Sequence, residues 1–170
     1  MRTRTRVQIL SASLGALFIM PLLADGRPPA QSRPTVANDV CAAGNSSGLC
    51  SQPNTCGSAA SACEVDIKRT NRAAEATPSI PNAKKNAVFC VKVGTTITFK
   101  STSKNTGFVL DFGKASPFDS GPAIMGGADR PVSVVAKKPG CYTYSVGACV
   151  AGAIYGMCGE TAAQLIVSGS

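Results

Sequence analysis

PGCYTYSVGACVAGAIYGMCGETAAQLIV, residues 139–167, is the stretch on which the reading of this chain turns. With the two lysines before it, Lys137-Lys138-Pro139-Gly140 is a strong turn signal. Proline presets φ at the second turn position, and glycine accepts a positive φ at the third. Residues 141–146 then alternate, with Tyr142, Tyr144 and Val146 on one face and Cys141, Thr143 and Ser145 on the other. A run of small residues follows that carries Cys149, Met157 and Cys158. Residues 162–167 close the segment with Ala163, Leu165 and Val167 at every second place. A side-chain period of two over four to eight residues is the mark of a half-buried strand. The stretch therefore reads as turn, strand, small-residue loop, strand.

The same period recurs upstream. Residues 64–68 set Val65 and Ile67 against charged neighbours, and residues 87–93 put Phe89, Val91 and Val93 on one face with Cys90 and Lys92 on the other. Residues 96–101 point Ile97 and Phe99 inward. Residues 108–112 do so with Phe108, Leu110 and Phe112, and residues 131–136 with Val132 and Val134. Residues 70–86, with Pro78 and Pro81, read as a long connection. Residues 113–130 read as a long surface loop broken by glycine and proline. No amphipathic helical period occurs after residue 63. About seven short strands spaced by turns predict an all-β sandwich over residues 64–170.

Residues 1–24 combine Arg2, Arg4 and Arg6 with an apolar run ending in Ala24, the pattern of a secretory signal peptide. No later apolar run is long enough for a membrane span, so no stable membrane insertion is expected after cleavage. Residues 25–63 are polar, rich in proline and cysteine, and nearly devoid of large apolar side chains, Leu49 being the exception between Cys41 and Cys63. The tract before the first cysteine reads as a disordered tether. The cysteine-rich part cannot bury a core, so its order has to come from bridges or from docking.

Eight cysteines in an exported chain predict a disulfide framework: Cys41, Cys50, Cys56, Cys63, Cys90, Cys141, Cys149 and Cys158. Eight cysteines allow 105 pairings, and spacing does not choose among them. Local pairs Cys41–Cys50 and Cys56–Cys63 are plausible on proximity, as are bridges from this segment into the body. Cys90 and Cys141, both on outward strand faces, could join each other or the N-terminal segment. No spacing is C-x-x-C and the chain has no histidine, so a mixed zinc site is not expected. Asp111, Asp119 and Asp129 lack the ligand rhythm of a calcium loop.

The net charge of +8 includes the leader's three arginines; residues 25–170 hold fourteen basic and nine acidic residues, or +5. The cations are scattered, as in Lys84-Lys85 and Lys137-Lys138, without interleaved aromatics, so nucleic acid is not the expected partner.

Two pieces of the sequence resemble the cupredoxins, the small blue-copper β-sandwiches. Gly94-Thr95-Thr96-Ile97-Thr98-Phe99 is similar to that family's G-x-x-[VI]-x-F strand start. Pro139-Gly140-Cys141-Tyr142-Thr143-Tyr144, with Gly156-Met157-Cys158-Gly159 beyond, is similar to its P-G-x-Y-x-[YF]…G-M-x-G ending. The resemblance covers residues 64–167 and implies a cupredoxin-like Greek-key sandwich. The family's copper centre takes two imidazoles, a thiolate and a weak axial thioether. On that pattern the first imidazole position falls near Phe108, the thiolate position at Val146 and the second imidazole position at about Cys149. Only Met157 stands where a ligand would.

A type-1 copper site is therefore not expected, and neither is a cofactor. The alternative is a soft copper site on Cys149, Met157 and Cys158, since thiolate and thioether suit Cu(I). An oxidising compartment favours a Cys149–Cys158 disulfide instead. Without histidine, acid–base catalysis would fall to Asp, Glu, Lys or Tyr, and no paired carboxylates or G-x-S-x-G motif stand out. The expectation is a non-catalytic secreted or periplasmic module that binds a protein or surface partner or serves as an envelope component. The alternative is a copper-binding or electron-transfer protein with unconventional ligands.

Overall fold

Alternating apolar side chains pair into sheets in a computed structural model. It describes residues 39–169 apart from Asn45, Gln52, Arg72 and residues 151–157, and omits the side chains of Ser47 and residues 158–160. The chain divides into Met1–Gln31, outside the described residues, and Ser32–Ser170, to which everything below belongs. The expected signal peptide and tether lie outside the described residues.

The described residues form nine strands: β1 Cys63–Thr70, β2 Ala73–Pro78, β3 Phe89–Lys92, β4 Thr96–Lys100, β5 Thr106–Asp111, β6 Ala123–Gly127, β7 Val132–Val135, β8 Gly140–Val150 and β9 Cys158–Ser168. They assemble as a four-stranded sheet, order β2-β1-β4-β7, and a five-stranded sheet, order β3-β9-β8-β5-β6. Most pairings are antiparallel, but β1 runs parallel to β4 and β3 parallel to β9. The architecture is an all-β sandwich.

The expected inward residues meet between the sheets. Val65, Ile67, Phe89, Val91, Ile97, Phe99, Phe108, Leu110, Phe112, Tyr142, Tyr144, Val146, Ala163, Leu165 and Val167 all belong to one core. Burying each large side chain contributes about 1.5–3 kcal/mol. Phe118 enters the same core edge-on to Phe99 and Phe112, with ring centroids 6.4 and 5.2 Å apart. The Tyr142 hydroxyl donates to the Lys138 carbonyl at 2.9 Å and fixes the turn that opens β8. Thr102 donates its amide and hydroxyl to Asp66, tying the β4–β5 connection to β1.

The strand count of about seven is corrected to nine. β2 lies in the stretch read as a connection and β6 in the one read as a surface loop. In β2 the inward residues are Ala74, Ala76 and Pro78, too small to print a hydrophobic alternation. In β6 Ile124 is the single large inward side chain, and Gly126 and Gly127 imitate a breaker. β8 and β9 also extend into the small-residue stretch after Val146. Cys149 pairs there with Gly107 on one side and with Cys158 on the other. Small residues are compatible with strand when a ladder exists on both flanks.

A third layer comes from the cysteine-rich segment. Cys41 is bridged to Cys141 and Cys50 to Cys90, which corrects the local Cys41–Cys50 pairing; Cys56 is bridged to Cys63. The correction has a structural cause. Cys90 and Cys141 both flank Ile166 in the ladders of β9, so the three form one row across the outer face of the larger sheet. The segment spans that row and is clamped at both ends of it. A four-residue helix, α1 Val40–Ala43, starts this strap, with the Asp39 carboxylate accepting from the Ala42 amide at 3.0 Å. A 3₁₀ turn, Ser47–Leu49, follows. Further on, the Cys90 amide donates to Asn54 and the Cys56 amide to the Cys90 carbonyl, which covers the free edge of β3. Cys90, expected on an exposed face, is 1% exposed for this reason.

Candidate functional site

β5 carries Phe108 and β8 carries Val146 and Cys149, three of the positions the sequence resemblance points to. In their ladder Phe108 stands opposite Ala148, and Leu110 opposite Val146. Phe108 is 4% exposed and Val146 fully buried, and both belong to the main core. Gly126 faces Phe108 from β6, and a Cβ there would lie 2.5 Å from the ring. The aromatic side chain thus fills space that only glycine leaves open. Neither Phe108 nor Val146 offers a donor atom to a metal.

Cys149 is not brought to the same place. The period of β8 puts Val146 and Ala148 inward and Cys149 on the opposite face, between Gly107 and Cys158. Its sulfur is already in a disulfide. Met157 and the side chain of Cys158 lie outside the described residues. Of the four positions carried over from the resemblance, two are hydrocarbon in the core and one is an oxidised sulfur facing away. These residues do not fit a type-1 copper ion.

The acidic candidates also stay apart. Asp119 is held by Lys137 at 2.7 Å, and that hydrogen bond keeps its carboxyl below the ordinary aspartate value. Asp111 accepts from the Gly113 amide at 2.7 Å, closing a local turn. For Asp66, partial burial acts upward, but hydrogen bonds from Thr102 and Lys68 outweigh it and hold the carboxyl low. Among the described residues, no three of Cys, Asp and Glu gather where they could hold a metal ion.

Two features were invisible at the sequence level. Gln164 is fully buried on the outer face of β9, where its amide nitrogen donates to Asp39 and to Thr143 Oγ1, and its oxygen accepts from the Val40 amide. It joins the strap to the sheet. The outward placement of both Cys90 and Cys141 was the available clue that something covers that face. The second feature is Tyr144, stacked on Phe112 with centroids 4.6 Å apart and buried with its hydroxyl unpartnered among the described residues. Burial pushes its phenol well above the usual tyrosine value, so it stays neutral.

The clefts are shallow. One of about 380 Å³ lies beside Thr106, Gly107, Met125 and Asp129; Met125 itself is 71% exposed. Another of about 360 Å³ opens under the strap between Ser46, Cys50, Cys141 and Ile166.

No protein-family model and no curated protein matches this chain. Among solved structures, one it is similar to is an oxidized lysine-for-methionine mutant of amicyanin. The identity is 17% and the TM-score 0.37, over 69% of this chain and 95% of that one.

Proposed function

We propose that this protein is an exported, non-catalytic cupredoxin-like module without a type-1 copper site, acting as a binding or envelope component. The observation that carries the reading is the pair Phe108 and Val146. They occupy the positions where the sequence resemblance would need an imidazole and a thiolate, and both are packed into the core of a chain that has no histidine. Oxidation of Cys149 supports it further, because a disulfide sulfur is not a thiolate ligand. Export is supported by the signal-like leader and by three disulfides that an oxidising compartment would preserve. No helix among the described residues is long and apolar enough to cross a membrane.

Copper loading tests this. Purified oxidised protein, titrated with Cu(II) and with Cu(I), is expected to bind no stoichiometric metal and to develop no intense visible band. Stoichiometric copper that disappears in Met157→Leu or Cys149→Ser would replace the proposal with a copper carrier of unconventional ligation.

A further inference from the structure

We propose that the strap, residues 39–56, is a redox latch. Thiol–disulfide exchange at Cys41–Cys141 and Cys50–Cys90 frees residues 39–55 from the outer face of the five-stranded sheet. Ile166 and Gln164 are then uncovered while the sandwich stays folded.

The argument starts from the row Cys90–Ile166–Cys141. Strands neighbour one another at about 4.8 Å, so the two cysteines stand roughly 10 Å apart with Ile166 between them. Both are clamped to the same short segment, through Cys50 and Cys41. Ile166, Ala162 and Gln164 occupy the outward period of β9, yet all three are buried and none of them belongs to the core between the sheets. An outward row on a two-layer sandwich is normally wet. Here a third layer covers it.

That layer has few holds of its own. Of the described residues between 39 and 56, only Cys56 belongs to the main core, and it is bridged independently to Cys63. Apart from the two bridges, the holds seen among the described residues are hydrogen bonds of Gln164 to Asp39 and Val40, the backbone pairing of residues 54–56 with Cys90, and the Cys56 Sγ–Ser79 Oγ contact at 3.4 Å. None of the described core residues lies within residues 39–55, the part that leaves.

Access to the sulfurs is graded in the matching sense. Each strap bridge has at least one half-buried cysteine, Cys41 and Cys141 in one and Cys50 in the other, whose partner Cys90 is 1% exposed; in the clip both Cys56 and Cys63 are sealed, at 1% and 0% exposure. Exchange requires a thiolate to reach a sulfur. A dithiol therefore meets the strap bridges before the buried clip. One thiolate of the dithiol attacks Cys41 or Cys141, forming a mixed disulfide and releasing the other cysteine. The second thiol of the dithiol then attacks the dithiol's own sulfur in that mixed disulfide and expels the attacked cysteine as a thiol. The protein gains two thiols, and the dithiol leaves as its cyclic disulfide. The same exchange, entering at the half-buried Cys50, opens Cys50–Cys90.

Graded dithiothreitol treatment of the full oxidised chain, with alkylation and peptide mapping, follows each bridge. Hydroxyl-radical footprinting of Ile166 reads the uncovered face, and thermal unfolding reads the sandwich. The expected order is both strap bridges before Cys56–Cys63. Ile166 labelling should rise several-fold once both strap bridges open, with a cooperative unfolding transition retained. The four-serine variant Cys41→Ser/Cys50→Ser/Cys90→Ser/Cys141→Ser should label Ile166 at that raised level without reductant. If that variant fails to fold, partial reduction of the native chain still decides. Ile166 protected with both bridges open, Cys56–Cys63 opening no later than they do, or cooperative unfolding lost as they open would overturn the latch.

Discussion

Tyr144 and Gln164 are both large, polar-tipped and buried, and they have opposite consequences. The Tyr144 hydroxyl has no partner among the described residues, and an unmatched buried polar group costs about 1–3 kcal/mol. Tyr144→Phe keeps the stacking on Phe112 and removes that cost, so its melting temperature should equal or exceed that of the native protein. The same substitution changes the alkaline limb. Because burial raises the phenol above its unfolded value near 10, the neutral form's contribution is complete below pH 10 and is lost as pH rises toward the folded value. Urea unfolding at several alkaline pH values should therefore give a shallower decline for Tyr144→Phe, the residue of it coming from Tyr142, which burial also raises. A native-like slope in the variant would mean that Tyr144 does not titrate as placed. Gln164 is the reverse case, since each of its polar atoms is matched. Gln164→Leu orphans the Val40 amide and loosens the Asp39 cap, and a loss of about 1–3 kcal/mol in urea unfolding is expected. Deuterium uptake over residues 39–43 should rise with it.

At the scale of elements, the strands legible in the sequence were those whose inward residues are large. β1, β3, β4, β5, β7, β8 and β9 all carry β-branched, leucine or aromatic side chains at alternate positions. β2 was not legible because alanine and proline fill its inward places, and β6 because two glycines stand where a breaker would. Gly126 is there to admit the Phe108 ring. Gly126→Val should cost about 1–3 kcal/mol by overpacking and release β6 from β5. Gly48→Ala, with open space around it, should change little. Equal melting temperatures for the two would contradict the packing described. That Phe108 and Val146 point inward was legible from the period-two alternation of their strands, and both are buried in the core. The facing of Cys149 was less so, since it depends on β8 continuing past Val146 as a regular strand. The cysteine pairing was hidden for a further reason. Proximity along the chain favours Cys41–Cys50, whereas the row across β3, β9 and β8 is set by a pairing of distant strands.

For the whole molecule, the proposed lack of a copper site has a thermal consequence. On that proposal, chelator-treated and copper-exposed protein should unfold at the same temperature to within about two degrees, because a ligand that does not bind the native state adds no stability. A copper-induced rise of several degrees would argue for a site. The parallel pairing of β3 with β9 bears on how the chain reaches this state. That ladder joins Phe89 to Leu165 and Val91 to Val167, so one edge of the larger sheet waits for the last strand to be made. The Cys41–Cys141 bridge spans a sequence separation of 100, whereas Cys56–Cys63 spans 7. Contacts this remote slow a search, which places such a topology in the millisecond-to-second range of folding rates. While the C-terminal end is still emerging, Cys41 and Cys50 have each other as near neighbours and neither native partner in place. A Cys41–Cys50 bond formed at that stage would have to be undone by thiol–disulfide exchange before either strap bridge could close, so the strap would be the last part of the chain to reach its final bonds.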